Sequence, residues 1–242
     1  MKPDLRKCKM QTLSFIIILC FATLTNAAGL FEHKRGITDN IPSKDSVLYL
    51  TLDACDGRPN GYDVKLINFL RKERIKATLF LNYNWINANY EIARNLSKDP
   101  LFKIENHGAH HRPASLTGKS AYGIKGASSK EGLLSDILPN QEKIFALTGY
   151  KPTWFRAGTA NYEDKAMQEI LALGVKIAGF AINADYGASA SKRTIEKSVA
   201  KARSGDIIIA HMNRPESETA AGLMSALIKM KSLGYRFEKL PD

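Results

Sequence analysis

Five histidines occur in the chain, and three of them, His107, His110 and His111, fall within five residues. Two neutral imidazoles four apart suit a divalent transition metal, and a carboxylate would complete a three-ligand site with one position open. Gly108 follows His107, so the pair is not the helical His-Glu signature of zinc proteases. The glycine argues instead for a loop or a single turn that brings both rings inward. Acids and bases end other apolar runs in the same way. Asp53 follows VLYLTL, Arg156 follows Thr153-Trp154-Phe155, Asp185 comes three residues after KIAGFAI, and His211 follows DIIIA. Asp53 reads as a general base kept ionised by Arg156, because an opposite charge lowers a carboxylate's pKa. Asp185 with His211 reads as an acid orienting an imidazole that donates a proton.

Other patterns carry less. Thr117-Gly118-Lys119-Ser120 looks like the tail of a phosphate-binding loop, but position 113 is Pro where that loop needs its first Gly, and the segment does not join a strand to a helix. No Gly-x-Ser-x-Gly nucleophile elbow occurs. Cys55 could act in a cysteine hydrolase only with a paired base; behind a strand end it reads as a small buried thiol.

The elements that must position these groups alternate along the chain. Runs rich in β-branched and aromatic residues, at Val47 to Leu52, Ala77 to Leu81, Phe102 to Ile104, Thr153 to Arg156, Lys176 to Ile182, Asp206 to Ala210 and Tyr235 to Leu240, predict strands. Stretches of helical period lie between them: 63–73 with Asp63 as N-cap, Trp85 to Leu96, Lys130 to Leu147, Tyr162 to Leu173, and helices at about 192–203 and 217–232. Seven strands, nearly all followed by a helix, predict an α/β fold with a parallel sheet, closed into a barrel or doubly wound. In either case chemistry gathers at the C-terminal ends of the strands, which is where the acids, imidazoles and Arg156 fall.

The 242 residues are 44% hydrophobic and 24% charged, an ordinary globular composition, and the 17 Gly and 9 Pro exclude a collagen-like or low-complexity chain. Lys2, Arg6, Lys7 and Lys9, the apolar run from Leu13 to Leu24 and the small residues at Ala27 and Ala28 have the layout of a secretory signal peptide over residues 1–27. The apolar run falls short of the about 20 residues a spanning helix needs, and Ile18 and Leu19 are too bulky to precede a lipidated Cys20. Cleavage would leave one domain, residues 28–242, periplasmic or extracellular, with no stable membrane insertion. It would remove four basic residues and Asp4, taking the formal charge from +11 to +8, and leave Cys55 as the one cysteine. A secreted protein of this charge favours anionic envelope polymers or a membrane surface and makes nucleic acid a poor partner.

In these residues the chain resembles the polysaccharide deacetylases with a NodB-homology domain, carbohydrate esterase family four, over roughly residues 45–240. Thr51-Leu52-Asp53 with Asp56-Gly57 resembles that family's Thr-Phe-Asp-Asp-Gly, and His107-Gly108-Ala109-His110-His111 its His-Ser/Thr-x-x-His. Arg156-Ala157-Gly158 is similar to its Arg-Pro-Pro-Tyr-Gly segment, Asp185-Tyr186 to its Asp-Trp, and Ile209-Ala210-His211 to its Leu-x-His. The resemblance implies a distorted (β/α) barrel of about seven parallel strands. It implies removal of acetyl groups from an N-acetylated or O-acetylated cell-envelope polysaccharide, with a divalent metal polarising the acetyl carbonyl and binding the attacking water. Asp53 would be the general base, Arg156 its holder, His211 the acid toward the leaving amine and Asp185 its positioner. His107, His111 and Asp56 would hold the metal, Zn²⁺ by ligand type, with Co²⁺ or Ni²⁺ also suited. A backbone N–H near Gly158 or Thr159 would hold the oxyanion.

The chain departs from the family's pattern in three places. Ala54 and Cys55 intervene before Asp56, and Asp56 can still reach the metal if these two extra residues bulge out. Asp63 is a second candidate that also reads as a helix cap, and a site of the histidines and Asp53 alone is a third arrangement. Ala157, Gly158 and Thr159 replace Pro-Pro-Tyr, and Tyr186 replaces Trp. An Asp-Ala-Cys opening of this kind looks like a distinct branch of the family. Two other functions fit the same residues: a hydrolase of another amide or ester on this scaffold, and a glycan-binding protein that has lost catalysis.

Overall fold

The computed structural model describes residue 30, residues 32–59 and residues 61–242; the expected leader, residues 1–27, lies outside them. The chain runs through β1 (Ile37–Thr38), β2 (Val47–Ala54), α1 (Val64–Glu73), β3 (Ala77–Leu81), α2 (Tyr83–Ala88), α3 (Tyr90–Ser97) and β4 (Phe102–Asn106). A short hairpin of β5 (Ser120–Ala121) and β6 (Ile124–Lys125) precedes α4 (Lys130–Thr148). Then follow β7 (Trp154–Phe155), α5 (Asp164–Ala172), β8 (Lys176–Ala178), β9 (Ile182–Asn183), α6 (Lys192–Val199), β10 (Ile207–His211), α7 (Thr219–Ser232) and β11 (Arg236–Phe237).

Eight strands form one open, barrel-like sheet in the order β1-β8-β7-β4-β3-β2-β10-β9, with β11 pairing β2 off that path. Among the described strands every pairing in this sheet is parallel, and the β5–β6 hairpin is antiparallel. Parallel strands buried on both faces read as near-continuous apolar runs, as β2 does. Its side chains still alternate. Leu48, Leu50, Leu52 and Ala54 pack outward against the helices in the main core, whereas Tyr49 belongs with Phe80, Phe180, Ile207 and Ile209 inside the sheet. The same parity holds in β3, where Leu79 and Leu81 face out and Phe80 faces in, and in β10, where Ile208 and Ala210 face out. A period of two therefore sends Asp53 and His211 inward, and the register sets them beside each other on adjacent strands.

Three elements differ from the sequence reading. The predicted strand 176–182 is broken into β8 and β9, so that one run pairs β1 and β7 at its start and β10 at its end. Gly179 lies at the break; a Cβ there would meet Asp39 Oδ1 at 1.8 Å, so only glycine lets the chains approach. The predicted helix 85–96 is two helices, because the Asn89 side chain donates to the Trp85 and Arg58 carbonyls and takes the backbone out of the helical region at φ −129°. Finally, β1 and the hairpin are elements the sequence pattern did not mark. Asp63 does cap α1, accepting from Leu66 N at 2.9 Å, a contact of about 1 kcal/mol. Among the described residues no helix is long and apolar enough to cross a membrane.

Candidate active site

Asp53, next to last in β2, faces inside the sheet mouth and is 2% exposed. The fully buried Arg156 donates from one terminal nitrogen to Asp53 Oδ1 at 2.7 Å and to Thr51 Oγ1 at 2.9 Å. Its other nitrogens donate to the Gly179 and Ala178 carbonyls at 2.8 and 3.3 Å, and its plane lies over the Phe80 ring at 4.3 Å. The break between β8 and β9 thus supplies the carbonyls that fix the guanidinium. Burial pushes the Asp53 carboxyl up, but Arg156, His107 and His211 outweigh it and hold the group below the usual carboxylate range.

His211, at the end of β10, donates from Nδ1 to Asp185 Oδ1 at 2.9 Å. Asp185 also accepts from His211 N at 2.8 Å and from Thr219 Oγ1 at 2.9 Å, so the carboxylate is held from three sides. Burial lowers the His211 pKa, and the Asp185 charge and hydrogen bond reverse that and leave it raised. With Nδ1 engaged by Asp185, the other ring nitrogen, Nε2, is left for the cavity that His211 lines.

Across the mouth lie His107 and His111. His107 Nδ1 pairs with the Arg156 carbonyl at 3.0 Å; a carbonyl only accepts, so Nδ1 carries the proton and Nε2 a bare lone pair. That buried Nε2 has no hydrogen-bond partner among the described residues and stands 3.6 Å from Asp53 Oδ2. The His111 ring meets the His107 ring edge-on at 5.4 Å. Burial and the neighbouring His107 push the His111 pKa down to about 3, so it too is a neutral base. Gly158 makes this placement possible, since a Cβ on it would fall 2.3 Å from His111 Cα.

The third donor is not the one expected. Ligand atoms of Cys55, His107 and His111 lie within 4.8 Å of one another. Asp56 is outside this group: at φ +69° its Oδ1 accepts from Arg58 N at 2.9 Å and its Oδ2 pairs with Arg214 at 3.4 Å. Asp63 is engaged in capping α1. Strand parity explains the exchange, because Cys55 continues the inward series of Thr51 and Asp53, whereas Asp56 falls on the other phase. Parity was the signal available in the sequence. Asn213 fixes Cys55 by donating to its carbonyl at 2.7 Å and to Sγ at 3.5 Å. Burial and the charges of Asp53 and Asp56 push this thiol up to about 12. Two imidazoles with a bare lone pair and a thiol that a cation would deprotonate fit a thiophilic divalent metal.

Asp53, Cys55, His111 and His211 line one cavity of about 380 Å³, together with Phe180, Tyr186 and Arg214. Tyr186 stands exposed at its rim. Of the two expected oxyanion donors, the Gly158 N–H is taken by the Arg112 carbonyl at 3.1 Å, which leaves Thr159.

The family model described as polysaccharide deacetylase matches residues 40–178. Peptidoglycan-N-acetylmuramic acid deacetylase PdaA of Bacillus subtilis is 24% identical over 208 residues, 83% of this chain and 72% of that protein. Its solved structure, a family 4 carbohydrate esterase, superposes with a TM-score of 0.69 at 22% identity, covering 84% of this chain and 82% of that one. Peptidoglycan-N-acetylglucosamine deacetylase PgdA of Listeria monocytogenes is 25% identical over 194 residues, 80% of this chain and 38% of that protein. A CE4 family pseudoenzyme from Bacillus anthracis has a TM-score of 0.67 at 22% identity, covering 81% of this chain and 64% of the other. At these identities the structural likeness is one of fold.

Proposed function

The chain belongs to the polysaccharide deacetylase family, and on that premise we propose that it is a metal-dependent hydrolase removing acetyl groups from an N-acetylated, or O-acetylated, cell-envelope glycan. The observation that carries this reading is the facing pair in the mouth: an ionised Asp53 clamped by Arg156, 3.6 Å from the unpartnered Nε2 of His107. The relatives named for peptidoglycan deacetylation support peptidoglycan as the substrate class. Residues 1–27 would direct the chain across a membrane, to the periplasm or beyond, and residues 28–242 would form the catalytic domain.

His107, His111 and Cys55 would hold the metal, with Zn²⁺ favoured by the thiol and imidazoles. When bound, a divalent ion would act as a Lewis acid on the acetyl carbonyl. The chain's own residues then divide the proton work. Asp53 accepts a proton from the attacking water, and Arg156 keeps it ionised and aimed. His211 gives a proton to the departing amine nitrogen, and Asp185 keeps Nδ1 engaged so that Nε2 is the donating atom. The Thr159 N–H is the backbone donor for the developing oxyanion.

Acetate release from N-acetylglucosamine oligomers and from peptidoglycan, with and without a chelator and added Zn²⁺, tests the proposal. Chelator-sensitive release is expected. A second reading, a glycan-binding protein without catalysis, is favoured by the displaced carboxylate at Ala54-Cys55 and by a pseudoenzyme among the structural neighbours. Glycan binding with no bound metal and no acetate release would establish it instead.

A further inference from the structure

One buried carboxylate takes no part in the proton chemistry and touches neither imidazole. Asp136, on α4 outside the sheet, is 3% exposed. Its Oδ1 accepts from Ala109 N at 2.9 Å and from His110 N at 2.5 Å, and its own carbonyl accepts from Ala109 N at 2.8 Å. These two peptide N–H groups belong to the residues between His107 and His111. Pro139 lies within α4 and has no N–H to give to a preceding carbonyl, so the helix ladder is interrupted in the turn that receives the loop.

The loop has little freedom elsewhere. Gly108 N donates to Asn106 Oδ1 at 2.8 Å, and its carbonyl accepts from Asn82 Nδ2 at 2.9 Å and Tyr83 N at 3.0 Å. A Cβ on Gly108, at φ +70°, would come within 2.9 Å of Asp136 Oδ2, so the glycine lets the carboxylate close on the backbone. On the opposite side Gly158 packs against the His111 backbone. The segment is thus held between a carboxylate on one face and a glycine on the other, and Asp136 alone holds both peptides at its centre.

We propose that Asp136 is a positioning residue for the metal site: by binding the two peptide N–H groups between His107 and His111 it fixes the separation and facing of the two imidazoles. The inference rests on the metal-dependent reading given above. Outer partners that orient ligands typically change metal affinity by about 10- to 100-fold when removed, and a carboxylate that sets the backbone between two ligands belongs to that range.

The test compares Asp136→Ala and Asp136→Asn with the unsubstituted protein. Zn²⁺ affinity is read by competition with a chromophoric chelator, ligand geometry by the visible spectrum of the Co²⁺ form, and folding by the Tm of the metal-free protein. Asp136→Ala is expected to weaken Zn²⁺ by about 10- to 100-fold and to alter the Co²⁺ spectrum. Asp136→Asn keeps an acceptor oxygen in the same place and should recover most of the affinity. Should Asp136→Ala not fold, Asp136→Leu fills the space without an acceptor and gives the same comparison. A folded Ala or Leu variant with unchanged affinity and spectrum, even with a lowered Tm, would overturn the proposal and leave Asp136 a structural residue. An unsubstituted protein that binds neither metal would overturn the metal reading itself, and this inference with it.

Discussion

On one wall of the mouth, Arg156 and Asp185 each make at least three polar contacts, and Asp53 and His211 are locked through them. On the other wall, His107 presents a lone pair with no partner, His111 is an uncharged base, and Cys55 is a protonated thiol in the absence of a cation. The two walls share a rim and one buried arginine, whose side chain orders Asp53 while its carbonyl sets the tautomer of His107. On the proposed assignment, the difference teaches that the proton-moving groups are organised by the fold itself, whereas the ligand wall is organised to be completed. Asp53, at the boundary, belongs to the first wall by its hydrogen bonds and faces the second.

The sharpest way to break this comparison is Asp53→Asn. The amide keeps the shape and a contact to Arg156 but cannot take a proton. Turnover is expected to fall by about 10²- to 10⁴-fold, the usual worth of a positioned general base. Zn²⁺ affinity, read by chelator competition, should stay close to that of the unsubstituted protein, because Asp53 is not among the grouped donors. A variant that lost the metal as well would move Asp53 to the ligand wall.

Asp185→Asn should have a smaller effect, visible chiefly in pH dependence. The His211 pKa is raised by the Asp185 charge and hydrogen bond against the opposing effect of burial. A raised pKa keeps the imidazolium present to higher pH, so the alkaline limb of the rate profile belongs to its loss. Removing the Asp185 charge lowers that pKa and should move the alkaline limb to lower pH, with the acidic limb in place and metal affinity unchanged. A profile that did not move would separate Asp185 from the acid role of His211.

How much of this could be read from residues alone follows the same division. Asp53, Arg156 and His211 each end an apolar run and Asp185 follows one closely, and a parallel α/β sheet brings strand ends to one mouth; their convergence is legible. The ligand wall depends on conformations that pattern does not record. His111 and Gly108 sit at positive φ, and the reach of Asp136 into their loop depends on a helix 26 residues downstream of His110. Cys55 reads from its chemistry as a small apolar thiol, whereas period two along Thr51, Asp53 and Cys55 places it on the phase that the structure groups with the two imidazoles. The break at Gly179 was hidden for another reason. KIAGFAI is as apolar as an unbroken strand, and only the close approach of Asp39 shows why glycine is needed. In the same way Asn89 looks tolerable inside a helical period until its side chain finds the carbonyls of Arg58 and Trp85.

The smallest expected effects come from a paired test on the ligand wall itself. Cys55→Ser replaces a soft donor with a hydroxyl that Zn²⁺ binds poorly, and should weaken Zn²⁺ by at least about tenfold. In the Co²⁺ form it should abolish the near-ultraviolet charge-transfer band that a thiolate ligand produces. Asp56→Asn, the substitution at the carboxylate the sequence pattern favoured, should change Zn²⁺ affinity by less than about twofold, since pairs as exposed as Asp56–Arg214 are worth little. The two variants are adjacent in sequence and similar in size of change, so general damage to the loop would affect them alike. A large loss in Asp56→Asn with a silent Cys55→Ser would return the third ligand to the carboxylate and require residues 54–57 to rearrange when the metal binds. The reverse result leaves Cys55 as the ligand and Asp56 as a turn residue holding Arg58 and Arg214 at the edge of the cavity.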